Sequence, residues 1–424
     1  MTASDMRFPD MVLAAQHFDN SPLEDPAQTL NERLDALDLS SRISPGQSVA
    51  ITAGSRGVTD MVLVIRTLVN RLRAIGAEPF IVPAMGSHGG ATDEGQESIL
   101  RDYGITLETT GAPVRSSMKT VHLGETVYGV PVYVDATAYH ADHIIVVNRV
   151  KPHTDFEGEI ESGLTKMLAI GMGKREGAEI YHNAILDQGY YKTFTSVVDV
   201  ILEKAPVTLG VGIVENQLDR TEEIGAAWGE DIPALDRSLL AKAKSVFPRL
   251  PFDYLDLLIV DEMGKDISGT GMDQNIIART VIKVGTVPAL PKIRRIFVRD
   301  LTPASHGTAT GLANADFALT RLIDKIDRHA TYTNCLCSCE PAMAAIPPHF
   351  PTDRESLETA FKTIGLTPPE DARVVHIKNT LHLETLSISR ALAQEAATIP
   401  GLDVTGTPAP LSFDDKGFLI LPWT

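Results

Sequence analysis

Residues 48–90 read SVAITAGSRGVTDMVLVIRTLVNRLRAIGAEPFIVPAMGSHGG. Ser48–Thr52 is a short apolar run that stops at Ala53-Gly54-Ser55-Arg56-Gly57. Met61–Gly76 follows with apolar residues at helical spacing and a glycine at its end. Pro79–Pro83 is a second apolar run, Ala84–Gly90 a second loop of small residues, and Thr92 a helix start with Gly95-Gln96 close behind. Strand, loop and helix thus alternate twice within 50 or so residues. That order predicts a parallel sheet with helices packed on it.

The pattern continues outward from this stretch. Ile144–Val150 reads as a third strand that runs into Lys151-Pro152-His153, and Val207–Val214 as a fourth. Pro206 and Pro248-Arg249-Leu250-Pro251 mark a change of unit. Beyond them Leu255–Val260, Arg295–Val298 and Val374–Ile377 read as strands with helices between them. The expectation is an α/β protein of two domains, residues 1–250 and 251–424. Each has a largely parallel sheet flanked by helices, with the active site in the cleft between them. A chain of 424 residues is long for one core, which agrees.

Composition narrows the function. Apolar residues are 43% and charged residues 22%, as in globular proteins. The net charge of −17 argues against a nucleic-acid partner, because it repels a phosphate backbone. It leaves room for a local basic pocket that holds an anion. Met1–Asn20 has no basic segment followed by an apolar one, so no signal peptide is expected. No apolar run approaches the roughly 18 residues of a membrane span. The three cysteines, Cys335, Cys337 and Cys339, give no disulfide framework and suit a cytoplasmic protein. Their C-x-C-x-C spacing reads either as soft-metal ligands or as small residues packed in a strand or loop.

In parallel sheets the loops after the strand C-termini line the ligand crevice. His88, His153 and His182 fall in or near such segments, and histidine suits both proton transfer near neutral pH and metal ligation. Each alone also reads as structural. Lys166 sits in the apolar run Ser162-Gly163-Leu164-Thr165-Lys166-Met167-Leu168. A desolvated amine there is a nucleophile or covalent anchor; the alternative is a lysine reaching from a helix to solvent. Arg56, in a small-residue loop after a strand, can grip a carboxylate through its planar fork. Neither loop matches a dinucleotide or P-loop pattern.

Taken together these residues resemble the lactate racemase family. The similarity covers most of residues 40–220 and extends more loosely beyond. Its most specific part is Pro152-His153, then Ser162-Gly163 with Lys166, then His182, in the family's order, with the Arg56 and His88 loops upstream. The resemblance implies a nickel-pincer nucleotide cofactor tethered through a thioamide at Lys166, with Ser55, Ser162 and Gly163 beside it and His182 on the nickel. It implies His88 and His153 as the acid/base pair and Arg56 on the substrate carboxylate. The polar loop Gly264–Asn275 offers Lys265 and Gln274 as further substrate-binding residues; His306 reads as a similar candidate or as a turn residue. The partners implied are a small 2-hydroxy acid and the proteins that mature the cofactor. The function implied is racemisation or epimerisation of that acid by hydride transfer.

The sequence departs from the family beside this segment. Leu164 stands where the family has a second glycine, the spacing from His153 to Lys166 is longer, and the acidic stretch Thr154–Glu161 replaces an aromatic-glycine run. These changes point away from lactate itself. The acids read either as ligands for the hydroxyls of a larger substrate or as a solvated loop. Two other readings stay open on the residues alone. One is a nickel-free lyase or hydrolase using a Schiff-base lysine or a histidine-bound zinc. The other is a non-catalytic anion-binding protein of the same fold.

Overall fold

The computed structural model describes residues 6–54, 57–154, 156–283 and 285–423. Backbone contacts divide the chain into two units. The first comprises Asn20–His153 and Glu157–Phe247; the second comprises Met1–Asp19, Thr154–Phe156 and Pro248–Thr424.

The sheet of the first unit has the spatial order Glu78–Pro83, Ser48–Ala53, His143–Arg149, Val207–Glu215, Thr221–Trp228. The first four strands run parallel, and only Thr221–Trp228 is antiparallel to its neighbour. The alternation read at residues 48–90 is therefore real, with strand ends within a residue or two of those expected. Odd-numbered residues such as Val49, Ile51, Ile145, Val147, Leu209 and Val211 face one side. They pack there on Leu30 and Leu34 of the helix Pro26–Leu37 and on Val64, Ile65 and Leu68 of the helix Met61–Ala74. Thr92 caps Asp93–Asp102, its hydroxyl accepting from Gly95 N at 3.0 Å. On the opposite face lie Val214 and the helix Ile232–Ser245, with Leu239 and Leu240 buried.

The second unit carries an eight-stranded sheet. Five strands, His349–Phe350, Phe317–Leu319, Lys292–Leu301, Tyr254–Met263 and Val374–Ile377, lie parallel in that spatial order. Thr385–Ser389, Asp10–Gln16 and Leu402–Pro410 extend it with antiparallel pairings. The N-terminal strand Asp10–Gln16 is thus an inner strand of the sheet built by the C-terminal half. A buried charge network crosses this core. Arg299 meets the Asp353 carboxylate with two bonds of 2.7 and 2.9 Å and also pairs with Asp261, which accepts from Trp423 Nε1 at 3.1 Å and lies 2.7 Å from His376 Nε2. Every charge here has a partner, as burial requires.

Two of the cysteines lie on a helix, and Cys339 lies in the turn that follows it. Cys335 and Cys337 are on the helix Arg328–Cys337, and residues two apart on a helix point in different directions, so they cannot share a metal. Cys335 is buried and donates to Thr310 Oγ1 at 3.6 Å. No helix among the described residues is long and apolar enough to cross a membrane.

Candidate functional site

The site of the first unit is built where its parallel strands end. His143–Arg149 runs into Pro152-His153, and the chain returns at once to make a bridge between Lys151 and Ser162, with Lys151 N donating to Ser162 O at 2.8 Å. The acidic stretch lies within this excursion. Glu161 is buried, not solvated: its carboxylate accepts from His153 N at 2.7 Å and Gly158 N at 2.9 Å and pairs with Lys244 at 2.6 Å. Glu157 and Glu159 are exposed. The excursion is therefore held by one internal carboxylate, which fixes the backbone at His153.

Lys166 is placed by a second buried acid. Asp236, from Ile232–Ser245, accepts from Leu164 N and Thr165 N, each at 2.9 Å, and so caps the helical turn Leu164–Lys166. Burial pushes the Asp236 carboxyl up, while the two N–H groups pull it back. A Cβ at Gly163 would lie 2.0 Å from Asp236 Oδ1, so only glycine permits this approach. Leu164, the departure from the family pattern, turns inward: its Cδ1 reaches 3.1 Å from where a Cβ on Gly210 would stand. It fills a groove that two strand glycines, Gly210 and Gly212, leave open.

From Lys166 the chain makes one π-helical turn, Met167–Gly171, and continues into the helix Lys174–Gln188 that carries His182. Such turns favour functional sites because they displace side chains from regular helical positions. Lys166 Nζ is within hydrogen-bond contact of His153 Nε2. Tyr190, at the start of Tyr190–Lys204, packs its ring 6.0 Å from that of His153. His182 is pushed down to about 4, first by burial and then by the Lys166 charge; a bond to the Ala178 backbone opposes both. The structure therefore brings His153, Lys166 and His182 together. Their neighbour Tyr181 is buried, pushed up to about 12 by desolvation, and its hydroxyl accepts from Tyr133 N at 2.9 Å, which pins the helix.

The His88 loop is tied to the same turn. Gly86 N donates to Gly171 O at 3.1 Å, and the buried Gln96 donates to Gly86 O at 2.9 Å and His88 O at 3.3 Å. His88 itself is exposed. Behind this loop lies Lys174, fully buried, whose Nζ donates to Pro83 O at 2.6 Å and Gln96 Oε1 at 3.1 Å and lies 2.8 Å from the Asp135 carboxylate. Sequence reading did not find Lys174, Gln96, Asp135, Glu161 or Asp236 as supports of the site. Only their burial and their partners in the fold distinguish them from surface residues.

Ser55 and Arg56 lie outside the described residues. Lys265 and Gln274 belong to the second unit. Lys265 Nζ donates to Gly269 O of its own loop and to Asn334 Oδ1 of the helix Arg328–Cys337, both at 2.8 Å. Gln274 is fully buried at the start of a short helix, with Nε2 3.9 Å from Met343 S. His306 sits in a left-handed turn after Pro303–Ser305. Among the described residues no three His, Cys, Asp or Glu side chains form a metal cluster.

Fold and site define an α/β protein with a histidine–lysine centre at the C-terminal edge of a parallel sheet. The comparisons carry this further: the profile of the lactate racemase N-terminal domain matches residues 11–193, so the resemblance holds over that stretch. Among solved structures, a structural-genomics protein from Thermotoga maritima superposes with a TM-score of 0.52 at 13% identity, over 77% of this chain and 84% of that one. That likeness is one of fold. The lactate racemase apoprotein from Thermoanaerobacterium thermosaccharolyticum gives a TM-score of 0.44 at 10% identity, over 82% of this chain and 99% of that one. No curated protein matches the sequence significantly.

Proposed function

We propose that the protein is a racemase or epimerase of a 2-hydroxy acid that works with a nickel-pincer nucleotide. The observation that carries this reading is the contact of Lys166 Nζ with His153 Nε2, beside a His182 imidazole that feels the Lys166 charge. The donor set fits the group. A metal ligand must be a neutral imidazole, and His182, held near 4, is neutral throughout the physiological range. One protein nitrogen suffices for a metal that arrives with its own carbon and sulfur ligands, and square-planar nickel accepts it. Lys166 is the amine that would carry the tether, because Lys174 is locked by three partners in the core. Ser55, Ser162 and Gly163 would line the bound group.

When bound, the nucleotide supplies the hydride acceptor that a poorly acidic 2-hydroxy acid needs. The chain supplies the rest. His153, at Nε2, and His88 each take the hydroxyl proton of one enantiomer and return it for the other. Positioned bases of this kind contribute about 10²–10⁴-fold. Arg56 holds the substrate carboxylate.

The test is protein made together with the cofactor-maturation genes. Intact-mass and peptide analysis should show a nucleotide-sized adduct on the Lys166 peptide, accompanied by nickel, and Lys166→Ala should lose both. An adduct on Lys151 or Lys174, or undiminished racemisation by Lys166→Ala, would overturn the assignment.

A further inference from the structure

A cavity of about 330 Å³ lies at the opposite ends of the strands that lead to the histidine–lysine site. Ser48, the first residue of Ser48–Ala53, lines it, as does Ala141, two residues before His143–Arg149. His153 and Lys166 follow the other ends. Six or seven extended residues span about 20 Å, so a strand's length separates the two places.

The floor of this cavity is apolar, with Phe80 and Ala136, and its rim is basic. Arg115, Lys119 and His140 stand on it, all exposed, with the Ser117 and Thr137 hydroxyls between them. The Arg115 guanidinium lies over the Phe80 ring, 4.0 Å from its centroid. Neither Arg115 nor Lys119 forms an ion pair with any described carboxylate. This is notable in a protein of net charge −17, where acidic partners abound. Three acids that adjoin lining residues have partners of their own. Asp142 accepts from Ser48 N and Oγ at 2.8 and 2.7 Å, Asp93 accepts from Met118 N at 2.7 Å, and Asp135 pairs with Lys174. Two cations with no carboxylate partner among the described residues thus line this cavity, one of them stacked on Phe80.

We propose that this cavity is a second small-molecule site and that its ligand is a compact organic phosphate monoester. Two permanent cations match the charge of a phosphate dianion, and the arginine fork matches its oxygens. The hydroxyls and the imidazole supply further donors. The organic part lies against Ala136 and the outer face of the Arg115 guanidinium, which is itself stacked on Phe80. A dry cavity of about 150 Å³ holds a benzene ring, so this volume accommodates a ring and a phosphate together.

Isothermal titration of the full-length protein with phenyl phosphate tests the assignment, with phenol and inorganic phosphate as references. Phenyl phosphate should bind, inorganic phosphate more weakly, and phenol not measurably. Arg115→Ala and Lys119→Ala should each weaken phenyl phosphate about tenfold; Lys119→Ala should keep the wild-type melting temperature, and Arg115→Lys, which keeps an aliphatic stem over Phe80 but lacks the planar fork, should weaken binding in a folded protein. Added sodium chloride should weaken binding further. His153→Ala should leave the affinity unchanged. Absence of phenyl phosphate binding at millimolar concentration, or wild-type affinity in both rim variants, overturns the proposal. So does loss of binding in His153→Ala, since that would place the anion in the catalytic loops.

Discussion

Lys166 acts on His182 through its charge, and the consequence is measurable without any cofactor. The folded protein holds His182 near 4 against an ordinary 6.5, so between those values it binds fewer protons than the unfolded chain. The stability that depends on a neutral His182 is whole above pH 6.5 and is lost as pH falls through the window toward 4. Burial is the larger cause and Lys166 the second. Lys166→Met keeps the bulk and removes the charge, so the His182 titration, followed by NMR on cofactor-free protein, should move upward part of the way to 6.5. An unmoved titration would mean that the two side chains are not neighbours. At this scale the sequence was only partly legible. His153, Lys166 and His182 stand out because their residue types carry chemistry and their order resembles a family. Glu161 reads as one acid among several in Thr154–Glu161, and nothing local tells that it turns inward to hold His153 N.

Elements were more legible than their supports. Val49, Ala50 and Ile51 sit between small-residue stops, and the run forms a central strand because both of its faces are covered. The short turn Leu164–Lys166 was not readable as a helix at all. Three residues have no intrinsic tendency to nucleate one, and the turn exists because Asp236, some seventy residues later, satisfies its first N–H groups. Two substitutions expose this dependence. Asp236→Ala leaves two buried donors unmatched and should cost about 2–4 kcal/mol in chemical denaturation. Gly163→Ala places a methyl carbon where the carboxylate now stands and should cost a similar amount. Both should also displace Lys166 and lower its loading with cofactor, whereas an exposed change such as Glu159→Ala in the same excursion should do neither. Full stability in Gly163→Ala would show that the carboxylate is not needed there.

The whole molecule shows a connection that no local pattern predicts. Asp10–Gln16 pairs on one side with Thr385–Ser389 and on the other with Leu402–Pro410, both antiparallel. Apolar residues in Met11–Ala15 announce a strand at most; they carry no information about which sheet the strand will join, because register and partner are set by tertiary burial. The first unit has its own core, with Leu30, Ile51, Leu68, Ile145 and Val211 all fully buried, and none of that cluster comes from residues 1–19. A chain lacking residues 1–19 should therefore lose order selectively. Removing an inner strand strips both neighbours of their hydrogen-bond partners: Thr385–Ser389 becomes an open edge, and Leu402–Pro410, which pairs only with Asp10–Gln16 among the described strands, loses its place in the sheet. Hydrogen exchange followed by mass spectrometry should show amides of those two strands losing protection in the truncated protein. Amides of Ser48–Ala53 and Val207–Glu215 should exchange as slowly as in the full chain, since opening free energies are set unit by unit. Equal loss in both sheets would mean that the two units unfold as one, and unchanged protection in Thr385–Ser389 would mean that the N-terminal strand contributes nothing to the sheet it enters.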